Sequence, residues 1–290
     1  MRDANARLAL TGIALLEALN YAVNVVLRPE PWNAASVATG YALWAVQAAC
    51  FVRLQLGDPG SAPAEWDALA ADGSEQADLC TRTGRLVPMR ARYCRRAGAV
   101  VLGLDHYCHW LGTPVGFGNR KLFILFVGYS AIFCAMGCAH SVHELLWATP
   151  ARLDMPSLPA ALRSLSSAEE LTSRCQCVDE VACVGMRATL LSGIDRGWSW
   201  LLRLLERAYG SDQLTFALAL IVSVPLNALG TILLTLLTLH QLALATFNRT
   251  TLDANNARYD LGAAANWRQV FGGRAFFWLL PVLGGGASGG

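Results

Sequence analysis

An acid, an imidazole and a thiol fall within four residues at Asp105-His106-Tyr107-Cys108, followed directly by His109 and Trp110. A thiol attacks only as its thiolate, and a neighbouring imidazole can take its proton. A carboxylate beside that imidazole fixes its tautomer and stabilises the imidazolium that forms. The trio stands just ahead of an apolar run, Leu122 to Trp147. Chemistry at the mouth of a membrane-length segment suits a substrate whose tail prefers lipid, such as a long-chain acyl thioester. Each buried CH2 is worth about 0.8 kcal/mol, so drawing a long acyl tail into water costs on the order of 10 kcal/mol. A catalyst at the interface avoids that cost.

The elements that must position these residues are membrane spans. Hydrophobic residues make up 54% of the chain and charged residues 15%, well below the roughly one quarter usual in soluble domains. A net charge of +2 implies no polyanionic partner, so nucleic acid is excluded. Four stretches approach the roughly 20 residues needed to cross a bilayer as helix. They run from Leu8 to Leu27, Ala34 to Leu54, Leu122 to Trp147 and Leu214 to Phe247. The first carries Glu17, Asn20 and Asn24, and is too long and polar for a cleaved signal peptide. Arg28 to Asn33, with two prolines, joins the first pair in a tight turn. Pro225 and Asn227 are expected to interrupt and kink the fourth. The fold class is therefore an α-helical polytopic membrane protein, with four transmembrane helices and a cytosolic catalytic segment between helices 2 and 3.

Loop charge gives the orientation. Residues 55–121 and the tail after Phe247 are rich in Arg, and an even number of spans puts them on the same side as residues 1–7. Positive-inside places that side in the cytosol. The expected order is a cytosolic stub 1–7, a hairpin of spans 8–54 and a catalytic segment 55–121. Span 122–147, a lumenal loop 148–212, span 213–247 and a cytosolic segment 248–290 complete it. The linker Asp58 to Asp78 is acidic and rich in Ala, Gly and Pro, and is expected to be mobile. In the lumenal loop, Cys183 can pair with Cys175 or Cys177, leaving an odd thiol, or all three stay unpaired. Leu190, Leu191, Ile194, Trp198, Leu201, Leu202 and Leu205 recur at helical spacing. The charges among them favour a helix lying on the membrane surface over a fifth span.

With these elements in place, the residues resemble the DHHC protein S-acyltransferases, also called palmitoyltransferases. The resemblance rests on motifs in order. Asp105-His106-Tyr107-Cys108-x-Trp110 is followed by Val115-Gly116-x-x-Asn119, Phe123, Phe126 and Tyr129-Ser130. Thr250-Thr251-Leu252-Asp253 is similar to the family's Thr-Thr-x-Glu motif, with Asp for Glu. Tyr259-Asp260-Leu261-Gly262, Asn266, Val270-Phe271-Gly272 and Trp278-Leu279-Leu280-Pro281 look like its C-terminal motif. The resemblance implies a ping-pong reaction in an endomembrane (Golgi or ER) or the plasma membrane, with the active site cytosolic. Cys108 takes the acyl group of palmitoyl-CoA or a similar acyl-CoA, which serves as co-substrate, and passes it to a cysteine of a substrate protein. His106 is the implied base and Asp105 its orienting group, with Thr250 and Thr251 holding Asp105, Thr251 the better placed. Asn266 is implied to tie the C-terminal segment to the core, and Trp110, Phe123 and Phe133 to line the acyl cavity.

Departures from the family pattern concern metal. Relatives surround the tetrapeptide with two structural zinc sites, each of three Cys and one His, and such sites supply folding energy. Here Thr83, Tyr93, Ala97, Val100, Tyr107 and Pro114 occupy ligand positions, leaving Cys80 and Cys94. Two thiols cannot close a tetrahedral site, so the expectation is no structural zinc, or at most a weak site outside the family pattern that recruits His109, and no other cofactor. Tyr107 belongs with that loss and leaves the reacting trio intact. Ala97, Val100, Val101, Leu102 and Leu104 are expected to substitute as a small apolar core. The alternative function is a catalytically inactive membrane scaffold or accessory subunit that kept the fold; a channel would need more polar groups in the spans.

Overall fold

Long apolar helices, three short antiparallel hairpins and a helical C-terminal segment make up the described residues. In this computed structural model those are 34–62, 66, 77–164, 182–208, 213–255 and 257–282. Of these, residues 34–134 and 229–282 belong to one compact unit and residues 135–228 to a second. The first expected span, the Arg28 to Asn33 turn, Cys175, Cys177, the side chain of Cys183 and Gly284 to Gly290 lie outside the described residues.

In the first unit, α1 (Ala34–Leu56) covers the expected second span. Three hairpins follow: β1 (Ala77–Leu79) with β2 (Leu86–Pro88), β3 (Ala91–Cys94) with β4 (Ala99–Leu102), and β5 (His106–Cys108) with β6 (Thr113–Val115). An isolated two-stranded hairpin is marginal in water, so these depend on what they pack against. Cys94, Val101 and Leu104 are buried together, and Tyr107 packs on them. Of the five residues expected to form this core, Val101 and Leu104 are buried and Val100 and Leu102 half-buried. Ala97 is exposed, because it sits in the turn joining β3 to β4. Cys94 and Tyr107 complete the core instead.

Most of the linker expected to be mobile, residues 63–65 and 67–76, lies outside the described residues, but its start at Asp58 is anchored. Asp58 Oδ1 accepts hydrogen bonds from the backbone N–H of Gly60 and Ser61, both at 2.9 Å. The Leu102 N–H donates to Gly60 O at 2.8 Å and the Gly118 N–H to Pro59 O at 3.0 Å. The approach is close enough to require glycine in the facing loop after β6. A Cβ on Gly116 would stand 2.5 Å from Pro59 O, and one on Gly118 2.5 Å from Asp58 O. The composition suggested flexibility, but an Asp-Pro-Gly turn satisfies its own backbone and then docks.

Two helices among the described residues are long and apolar enough to cross a membrane: Arg120–Arg152 and Leu214–Thr246, each holding an 18-residue stretch of mean hydropathy 2.1. The first comprises α2 (Arg120–His143), a π turn (Glu144–Ala148) and α3 (Thr149–Arg152). It runs past the expected end at Trp147. Pro150 stands in the first turn of α3, directly after the π turn. Arg152 Nη2 also donates to Glu144 Oε2 across that last turn at 2.7 Å. In the second unit, α4 (Leu158–Ser164) packs on α5 (Ala182–Ala208), burying Trp200 and Leu204 against Met155 and Ala161. The expected surface helix is thus longer than its apolar repeat. It presents Ile194, Trp198 and Leu202, four residues apart, as an exposed stripe.

Helix α6 (Gln213–Thr246) is one continuous helix through Pro225, not the interrupted span expected. Asn227 Nδ2 donates to Ser223 O at 2.9 Å and Oγ at 3.0 Å, tying the turn across the proline. Leu218, Val222, Leu226, Leu229, Leu233 and Leu236 form an exposed apolar stripe along it. A soluble core helix would have buried such a stripe. In the first unit the C-terminal segment returns to these helices through α7 (Ala263–Phe271). Phe271, Trp267 and Trp278 stack at centroid distances of 5.2, 5.6 and 5.9 Å, packed against Ile124 and Ala245.

Candidate active site

A β-strand sends alternate side chains to opposite faces. On β5, His106 and Cys108 therefore share one face and Tyr107 takes the other. That alternation explains why Tyr107 packs into the Cys94, Val101 and Leu104 core while its neighbours stay free for chemistry. The backbone of β5 is pinned by pairing with β6 and by the Asp105 N–H donating to Val115 O at 2.8 Å. Asn119 closes the loop that follows: its Oδ1 accepts from the Gly116 N–H and its Nδ2 donates to Pro114 O, both at 2.9 Å.

Asp105 is fully buried. Its Oδ2 faces His106 Nδ1 at 2.7 Å, Gln241 Nε2 at 3.0 Å and Thr251 Oγ1 at 3.1 Å. Its Oδ1 accepts from the Thr251 N–H at 2.7 Å. Burial alone would raise the carboxyl's pKa, but the bonds from His106, Thr251 and Gln241, with the charge of Arg120, hold it well below the usual range. An acceptor-only carboxylate facing Nδ1 leaves Nε2 as the imidazole's working nitrogen. Burial likewise disfavours the charged form of His106. Asp105 and Cys108 outweigh it and push the pKa up to about 9. The proton is therefore held on the imidazole at neutral pH. Phe123, 2% exposed, stands edge-on to the imidazole at 5.1 Å and shields it from the far side.

Each residue singled out in the sequence has a definite place. Asp105, His106, Cys108, Thr251 and Phe123 come together. Thr250 is buried, and its Oγ1 accepts from the Asp253 N–H at 3.2 Å, capping the short turn Thr251–Asp253. Asn266 is fully buried and donates to Thr246 O at 2.8 Å and Asp260 Oδ1 at 2.7 Å, fastening the C-terminal segment to the end of α6. Trp110 is 66% exposed in the β5–β6 turn. Phe133 is half-buried nearly three turns further along α2. Gln241 and Arg120 were not singled out in the sequence. The signal for Gln241 was a lone amide in an apolar span, which is costly to bury without a partner.

The family resemblance implies zinc, and the residues present do not fit it. Cys94 is packed in the apolar core, and Tyr107, a ligand position in relatives, packs beside it. Cys80 stands in the β1–β2 turn, partly exposed. Among the described residues no group of three or more His, Cys, Asp and Glu is placed to hold a metal ion. A separate tie joins this segment to the C-terminal segment. Arg90 Nη1 donates to Asn248 Oδ1 at 2.8 Å, its Nη2 donates to Asn248 O, and the guanidinium lies 4.5 Å over the Tyr259 ring.

The shifted pair predicts a pH dependence. Asp105, lowered on folding, contributes stability that is present above its ordinary value and lost as pH falls below it. His106, raised, contributes stability that is complete below its ordinary value of about 6.5. That stability is lost as pH climbs through about 9. The melting temperature of detergent-solubilised protein should therefore fall between those two values. The fall should be shallower in His106→Ala; equal slopes in both proteins would refute the coupling.

Comparison with known proteins places this geometry in context. A profile of the family described as DHHC palmitoyltransferase matches residues 73–258. Palmitoyltransferase PFA3 of Candida albicans is 36% identical over 80 residues, which is 27% of this chain and 21% of that protein. Palmitoyltransferase ZDHHC15 of Homo sapiens is 36% identical over 62 residues, 21% of this chain and 18% of its own. Palmitoyltransferase ZDHHC2 of Danio rerio is 40% identical over 55 residues, 19% of this chain and 15% of its own. The aligned segments thus span about a fifth of these relatives or less.

Proposed function

The chain belongs to the DHHC palmitoyltransferase family, a family of membrane proteins, and from that premise we propose that it is a protein-cysteine S-acyltransferase. The observation that carries the reading is His106 and Cys108 on one face of β5, with the imidazole anchored through Nδ1 to a fully buried carboxylate. The Cys108 thiolate attacks the carbonyl carbon of a long-chain acyl-CoA such as palmitoyl-CoA. A new thioester forms, the bond to the coenzyme's sulfur breaks, and the imidazolium of His106 gives that sulfur its proton. In the second half, His106 takes the proton of a substrate protein's cysteine, whose sulfur attacks the acyl-Cys108 carbonyl. The proton then returns to Cys108 as it leaves. Acyl-CoA is a co-substrate, and no cofactor takes part.

Four spans with the catalytic segment and both termini in the cytosol suit this reaction, because coenzyme and substrate thiol then meet at the mouth of α2. The membrane is that of the Golgi, the ER or the cell surface. The segment folds without structural zinc, on the apolar core and the Arg90 tie. The test is autoacylation: incubate the solubilised protein with labelled palmitoyl-CoA, treat with neutral hydroxylamine, and map the label by mass spectrometry. A hydroxylamine-labile acyl group on Cys108 is expected. Folded protein that gains none would support the inactive scaffold, the reading that the lost zinc ligands and Asp253 favour.

A further inference from the structure

The long apolar helix α6 contributes one polar side chain to the site, and the reaction as drawn gives it no role. Gln241 is 2% exposed. Its single hydrogen bond among the described residues runs from Nε2 to Asp105 Oδ2 at 3.0 Å, 136 positions away in sequence. Its Oε1 receives nothing from the described residues. The orientation of the amide is dictated by chemistry: an ionised carboxylate only accepts, so Nε2 must face it. An amide buried in a helix of this hydropathy is costly unless it is used.

We propose that Gln241 is a positioning residue for the acyl-transfer step, holding the Asp105 carboxylate at the angle that presents His106 to Cys108. This rests on the acyltransferase reading above. Thr251 approaches Asp105 from the loop after α6, through its N–H on Oδ1 and its hydroxyl on Oδ2. Gln241 grips Oδ2 from the membrane helix itself. The two together stop the carboxylate rotating away from Nδ1, and they couple the catalytic strand to the span beside the acyl chain. The charged and titratable groups facing Asp105 are His106 with Cys108 behind it on β5, Arg120 at the start of α2, and Arg90 in the turn before β3. Gln241 and Thr251 are neutral.

Two substitutions test it, read as the single-turnover rate of Cys108 acylation against pH, with Cys108→Ser alongside. Gln241→Leu removes the donor and should slow acylation about tenfold at neutral pH, with the acyl-CoA concentration for half-maximal rate unchanged. Gln241→Glu keeps the shape but sets a second carboxyl beside Oδ2, and two carboxylates that close share a proton. While protonated it donates as Gln does, so the variant should match wild type in mild acid and lose rate as pH rises through neutrality. Wild type should show no such loss. If Gln241→Glu follows the wild-type pH profile, the contact is packing alone and the inference fails, whatever Gln241→Leu does to folding. If wild type gains no label beyond Cys108→Ser, the acyltransferase reading itself fails and takes this inference with it.

Discussion

Asp105→Asn is expected to slow acylation of Cys108 by about three to four orders of magnitude, the loss known when a triad's orienting carboxylate becomes an amide. The geometry gives the reason. Asp105 Oδ2 is met by three donors and Oδ1 by one. An amide has one acceptor and one donor end, so either placement sets an N–H2 against an N–H or O–H already there. With the nitrogen at Oδ2, His106 can bond only by turning its proton to Nε2, the position from which it must act on Cys108. With the nitrogen at Oδ1, the Thr251 N–H is left buried without a partner. Such an orphan costs about 1–3 kcal/mol and loosens the loop. The measurement is a rapid-quench time course with labelled palmitoyl-CoA on folded wild type and variant. A variant within tenfold of wild type would falsify the orienting role.

The second large effect concerns how the segment stays folded without metal. Val101→Asp is expected to unfold the hairpins and abolish acylation. Val101 is 2% exposed among Cys94, Leu104 and Tyr107, and its Cγ1 stands 2.4 Å from where a Cβ on Gly116 would be. A carboxylate there has neither partner nor water, and an uncompensated buried charge costs about 3–5 kcal/mol. A small set of two-stranded hairpins has no reserve of that size. Chelators should leave wild type untouched in both acylation rate and resistance of residues 77–115 to protease. Protein that loses protection in chelator, or that purifies with stoichiometric zinc, would return the structural role to a metal.

Both effects turn on the difference between local and long-range information. Strand alternation puts His106 and Cys108 on one face and sets Tyr107 apart, but no pattern in the sequence had pointed to the hairpins, and β5 was not expected. Two of the four apolar runs were legible, because a helix in lipid has to satisfy its backbone internally and be apolar outward. The extra length beyond Trp147 was less so, since it depends on Arg152 reaching back to Glu144 and on where Pro150 sits in the last turn. The Asp58 turn was misjudged as mobile. Its composition is that of a linker, and only its contacts with Leu102 and Gly118 hold it.

Residue types and order were enough to determine the family and two of the apolar runs long enough to cross a membrane. These follow from side-chain chemistry and from repeats within one segment. Tertiary structure decided what surrounds the trio. It brought Thr251 and Gln241, 146 and 136 positions away, onto the carboxylate, and it turned Trp110 outward while setting Phe123 against the imidazole. It also chose Cys94 and Tyr107 for the small core in place of Ala97. No local pattern contains such choices, because each is fixed by which distant chain segment fills the space and supplies the hydrogen bond once the helices have packed.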